Sequence, residues 1–116
     1  MSDNIVRENY LSYSGGSAVN FNGDACRKAG GEPISDTLIE RNKILNVKLG
    51  PALFYGTEGT IIKDNDITIL EPYLPPNATD DLPVSMKCGI VAWIETPSMS
   101  GNTYNLRSDY NQFCQY

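Results

Sequence analysis

The chemistry available to this chain is narrowed first by what it lacks. It has no histidine, so Ser-His-Asp and Cys-His nucleophiles and histidine-ligated metals are excluded. Asp64-Asn65-Asp66 places alternating oxygen ligands as the opening of a calcium loop does. However, Ile69 stands where that loop needs its sixth-position glycine, and Pro75 where it needs its closing glutamate. Turn chemistry accounts for the same residues, so no metal is expected. Cys26 follows Gly23-Asp24 and precedes Arg27-Lys28 and Gly30-Gly31, a setting that lowers a thiol's pKa. Without an imidazole, only a carboxylate or lysine could act as its base, which makes a thiol-dependent enzyme the weakest of the functional readings. Neither glycine pair builds a phosphate cradle, and no cofactor is expected.

Binding chemistry is better represented. The chain has 116 residues and a net charge of −5. Residues 58–81 hold Glu58, Asp64, Asp66, Glu71, Asp80 and Asp81 against Lys63 alone, while the flanking segments balance to zero. Such a segment keeps a protein soluble or steers a basic partner, and it does not favour direct nucleic-acid binding. Pro72-Tyr73-Leu74-Pro75-Pro76 has PxxP spacing and reads as a stiff connector. Seven tyrosines outnumber the other aromatic residues, and Tyr104, Tyr110 and Tyr116 lie in an Asn- and Gln-rich stretch with no charge after Asp109. An edge so weakly defended pairs inside the domain or with another subunit.

The elements that must position these groups are mainly strands. Leu45–Leu49, Ala52–Tyr55, Thr60–Ile62 and Ile67–Leu70 are short β-type runs, and Lys63-Asp64-Asn65-Asp66 between the last two predicts a hairpin. The longest alternation, Val84–Ile94, predicts a strand whose one face carries Val84, Met86, Cys88, Ile90, Ala92 and Ile94. Val91 and Trp93 suggest that the other face is covered as well. Tyr104–Arg107 and Tyr110–Tyr116 read as closing strands. Thr37-Leu38-Ile39-Glu40 fits a capping box and favours a short helix over residues 38–44, against a competing strand through Ile34–Ile39 with a turn at Arg41–Lys43. No internal repeat is apparent.

The fold expected is therefore a small antiparallel sandwich or barrel. It would form one domain over residues 1–116, with a polar N-terminal arm over about 1–9. An odd count of three cysteines (Cys26, Cys88, Cys114), with no signal segment, reads as free thiols in a cytoplasmic product. No apolar run approaches the ~20 residues of a membrane span, so no membrane partner is expected.

The leading functional expectation is a non-catalytic interaction or assembly module. It would be an accessory component of a larger particle, a virus included, or a small acidic inhibitor of a basic surface. Its contact residues would be Glu58, Asp64, Asp66, Glu71, Tyr73, Asp80, Asp81, Tyr104, Tyr110 and Tyr116, meeting a basic protein or a second subunit along the C-terminal edge. The alternative is a barrel that binds a small molecule in a pocket lined by Phe54, Tyr55, Val91 and Trp93.

Overall fold

In the computed structural model, residues 3–14, 16–23, 29–74, 76–77 and 86–116 are described. They form 14 short strands and no α-helix. The strands are β1 (Ile5–Arg7), β2 (Tyr10–Ser12), β3 (Asn20–Phe21), β4 (Ile34–Ser35), β5 (Leu38–Glu40), β6 (Lys43–Leu45) and β7 (Ala52–Leu53). They continue as β8 (Thr57–Glu58), β9 (Ile61–Lys63), β10 (Asp66–Ile69), β11 (Cys88–Ala92), β12 (Ser98–Ser100), β13 (Thr103–Leu106) and β14 (Asn111–Gln115).

Consecutive strands do not pair with each other. The sheets run β1-β5-β9-β12, β2-β6-β10-β13, β3-β7-β11-β14 and β4-β8, and every pairing is parallel. The chain therefore turns a corner after each strand and meets its own earlier path one circuit later. Four such circuits, beginning at β1, β5, β9 and β12, stack into a parallel β-solenoid.

This corrects the antiparallel sandwich or barrel expected from sequence, and the reason lies at Asp64. A two-residue hairpin of type I′ needs two successive residues at positive φ. Asp64 has φ 57°, whereas Asn65 is absent from the positive-φ residues. One left-handed residue bends the chain from one sheet into the next without reversing it. Glu8 (φ 57°), Arg41 (φ 51°) and Gly101 (φ 67°) do the same at equivalent corners.

The helix over residues 38–44 is also absent, because these residues form β5, the Arg41 corner and β6. Thr37 Oγ1 accepts from Asn4 Nδ2, and the Glu40 carboxylate bonds Arg7 instead of reaching back to Thr37. Within residues 1–9, Ile5–Arg7 is β1, paired with β5.

Alternation within each strand fills the interior. Register aligns Val6, Ile39, Ile62 and Met99 in one inward column, Leu11, Ile44, Ile67 and Tyr104 in a second, and Phe21, Leu53 and Ala92 in a third. The members from the middle circuits are fully buried, while Val6, Leu11, Phe21, Met99 and Tyr104 are only partly covered. Stacked β-branched side chains suit this geometry, since each packs against a like residue directly above or below it.

The strand expected over Val84–Ile94 is narrower than its alternation implied. It spans Cys88–Ala92, with residues 78–85 outside the described set. Ile94 turns at φ 74° and is 68% exposed. Ile90 and Ala92 enter the main core, but Cys88 joins Leu49, Ala52 and Val91 in a second cluster, where Phe54, Met86, Trp93 and Cys114 pack. Val91 and Phe54 therefore do not line a barrel interior. The strand changes face at Gly89, whose carbonyl oxygen occupies the space that a Cβ on Gly50 would need.

Candidate functional site: the uncovered end of the solenoid

The four corners share a second feature. Each left-handed residue is followed by an asparagine: Asn9, Asn42, Asn65 and Asn102. Their side chains stack along the solenoid axis. Asn42 Oδ1 accepts from both the backbone N–H and the Nδ2 of Asn9, each at 3.1 Å. Asn65 Oδ1 accepts the same pair from Asn42 at 3.0 Å, and Asn102 Oδ1 accepts from Asn65 N at 3.0 Å and Nδ2 at 2.9 Å. Each Nδ2 also donates to a backbone carbonyl one circuit back: Asn42 to Val6, Asn65 to Ile39 and Asn102 to Ile62. Asn42 is 2% exposed and Asn65 1%, so these amides are satisfied without water.

Asn65, read from sequence as part of a turn or a calcium loop, is thus a structural rung. Among the described residues no group of three or more Cys, Asp or Glu side chains could hold a metal.

The ladder stops at the fourth circuit. Among the described residues no acceptor takes the backbone N–H of Asn102, and no donor reaches Asn9 Oδ1 at the opposite end. Around Asn102, Met99, Ser100, Gly101 and Tyr104 line an open hollow of about 220 Å³. The residues one circuit earlier, Ile62–Asn65 and Ile67, are overlaid by this same set.

Strand alternation sets the direction of the remaining backbone groups. Thr103 N donates to Asn65 O at 2.8 Å and Arg107 N to Ile69 O at 2.7 Å, so the alternate residues Tyr104 and Leu106 turn their amides to the uncovered side. At the first circuit, Asn9 O accepts from Lys43 N at 2.8 Å and Tyr13 N donates to Leu45 O at 3.2 Å. Tyr10 and Ser12 therefore face outward along the axis.

Two devices hold the fourth circuit onto the third. Cys88 and Cys114 form a disulfide between β11 and β14. This overturns the expectation of free thiols: an odd count still leaves room for one pair, and 26 residues of separation were not a recognisable spacing. Closing a loop of that length stabilises by about 3 kcal/mol in the chain-entropy account. Cys26 lies outside the described residues. Beside the disulfide, Trp93 stacks on Phe54 at 4.7 Å and Tyr116 on Trp93 at 5.2 Å, one ring from each of three successive circuits.

The second device is ionic. Asp109 accepts from Arg107 Nε at 2.6 Å and Nη2 at 2.8 Å, and from Lys87 Nζ at 3.0 Å. The Arg107 bonds first, and then Lys87, hold its carboxyl well below the ordinary aspartate range.

The residues nominated from sequence fall in different places. Tyr110 is core, 7% exposed, and its hydroxyl donates to Lys48 O at 2.6 Å. Tyr104 is half-buried at the hollow, and burial raises its phenol pKa, with a hydrogen bond from the Asn102 side chain partly offsetting that. Tyr116 ends the ring stack, and Tyr73 meets Tyr13 edge-on at 6.3 Å.

Asp64 and Asp66 flank Asn65 at a corner, with Asp66 directly across the sheet from Lys43. Glu71 follows β10, its N–H held by Asn46 Oδ1 at 3.0 Å, and Glu58 lies exposed on β8. Asp80 and Asp81 are outside the described residues.

A buried cluster was missed. Glu40, 3% exposed, meets Arg7 at 2.9 Å, Arg41 at 3.2 Å and Lys63 at 3.8 Å. Arg7, Glu40 and Lys63 occupy one register position in successive circuits. No family model, curated protein or solved structure matches the chain.

Proposed function

We propose that this protein is a non-catalytic assembly module that engages a protein partner through the uncovered face of its fourth circuit, β12 to β14. The observation that carries the reading is the uncovered state of that face. Its inward residues Met99, Tyr104, Leu106 and Phe113 are only partly covered, whereas their counterparts in the middle circuits are sealed. An open sheet edge is a template for another chain. The Cys88–Cys114 bond and the Asp109 ion pairs support the same role, since they stiffen the presenting face and reduce the ordering cost of docking. That bond also favours a place of action where thiols remain oxidised.

Lysines introduced on the outward positions of this edge test the reading without touching the core. In Ser98→Lys/Asn105→Lys, association of the 116-residue chain, with itself or with a captured protein, should fall at least tenfold. Glu58→Lys, on β8, should leave it unchanged. Association lost with Glu58→Lys and kept by the edge variant would overturn the proposal in favour of acidic steering.

A further inference from the structure

Resting on the assembly reading, we infer that the partner of the fourth circuit is the first circuit of a second copy of this chain, docked head to tail so that the asparagine ladder runs on without a break.

The two ends are complementary in kind. One end presents a donor, the Asn102 N–H, and the other an acceptor, Asn9 Oδ1, the same pair that joins Asn9 to Asn42, Asn42 to Asn65 and Asn65 to Asn102. Placing Asn9 of the second copy over Asn102 fixes the contacts of its β1 and β2 with β12 and β13. Val6 falls on Met99 and Leu11 on Tyr104, continuing two inward columns whose end members are the partly covered ones. Tyr10 falls on Thr103, Ser12 on Asn105 and Ile5 on Ser98. Arg7 meets Ser100 and Glu8 meets Gly101, so no like charges oppose each other.

Strand direction selects this arrangement over the others. The intrachain sheets are wholly parallel, and a head-to-tail stack keeps them parallel, whereas joining two fourth circuits would make each new pairing antiparallel. The asparagine rung depends on parallel register, because its Oδ1 must receive the N–H and the Nδ2 of the same residue one circuit back. A single extended peptide could add one strand but could not supply the corner that carries the asparagine. The contact joins two different surfaces, so it does not close on itself. It adds copies in a row.

Sedimentation velocity on the 116-residue chain should show species at multiples of 12.8 kDa that grow with concentration. Tyr10→Pro removes an N–H that turns away from β6, a position where an edge strand tolerates proline. It should abolish growth while leaving the far-ultraviolet circular dichroism unchanged.

Thiol pairing is independent of whether that variant folds. In a Cys26→Ser background, Tyr10→Cys and Thr103→Cys proteins mixed under mild oxidation should give the mixed dimer in at least tenfold excess over either homodimer. Thr103→Cys homodimers in excess would overturn the inference by showing the two fourth circuits joined. A chain that stays monomeric at every concentration would overturn it too. If the edge-lysine variant then still lost a different protein partner, the assembly reading would stand while the head-to-tail inference fell.

Discussion

The third and fourth circuits turn at the same asparagine rung, overlaid in one and uncovered in the other. At Asn65 the amide bonds the circuit before and the circuit after. At Asn102 it bonds the circuit before and Tyr104 of its own circuit, and no circuit follows it. The inward column tells the same story, with Ile67 sealed and Tyr104 half open. One motif therefore serves as a structural rung when it is covered and as a binding edge when it is not. At the asparagine itself, what distinguishes site from scaffold is position in the stack.

Substitution should reproduce that contrast in energy. Asn65→Ala strips partners from several buried backbone and side-chain groups, each costing about 1–3 kcal/mol when orphaned, and should destabilise by about 4 kcal/mol in denaturant melts. Asn102→Ala, with fewer buried partners, should cost about half as much, and Asn9→Ala, exposed and donating to a single acceptor, less than 1 kcal/mol. Equal losses at all three positions would erase the distinction.

Reducing the Cys88–Cys114 bond should cost about 3 kcal/mol. It should also raise amide exchange selectively in β12–β14, because the bond ties the fourth circuit to the third. Exchange rising uniformly over the whole chain would contradict that assignment.

Two smaller effects are read from pH. Asp109's carboxyl titrates lower in the fold than in the unfolded chain, so its contribution is present above the unfolded pKa and is lost as pH falls through the folded one. Asp109→Asn should lower Tm at neutral pH, with the gap to wild type closing in acid below about pH 4. Tyr104 shifts the other way. Its folded pKa is raised, so its contribution is full below the unfolded value of about 10 and is lost as pH climbs through the folded value. Tyr104→Phe should flatten the alkaline decline in stability, and an unchanged decline would remove Tyr104 as its source.

Much of the local structure was legible. The runs at Ala52–Tyr55 and Tyr110–Tyr116 each contain a strand, and those at Thr60–Ile62, Ile67–Leu70 and Tyr104–Arg107 each overlap one with a boundary shifted by a residue. The pairing was not legible, because alternation reports which face a side chain takes and is silent on which strand lies alongside.

The repeat was hidden by spacing. Asn9, Asn42, Asn65 and Asn102 are separated by 33, 23 and 37 residues, as the hydrogen-bond separations 42–9, 65–42 and 102–65 give, so no fixed period appears. The signal that would have exposed it is the heptad around each asparagine. Ile5-Val6-Arg7-Glu8-Asn9-Tyr10-Leu11, Leu38-Ile39-Glu40-Arg41-Asn42-Lys43-Ile44 and Ile61-Ile62-Lys63-Asp64-Asn65-Asp66-Ile67 share one pattern, with Ser98-Met99-Ser100-Gly101-Asn102-Thr103-Tyr104 as a looser fourth copy. The uncovered end itself has no sequence signature, because it consists of ordinary rungs that nothing overlies.

Backbone amide exchange at the four asparagines, followed residue by residue by NMR in dilute protein, tests the central claim most directly. The account predicts that the N–H groups of Asn42 and Asn65 are among the slowest in the molecule and that of Asn102 among the fastest. It also predicts that Asn102 slows at high concentration while the other two do not change. Fast exchange at Asn65, or equal protection of Asn65 and Asn102 in the dilute monomer, would contradict both the ladder and the binding edge at its end.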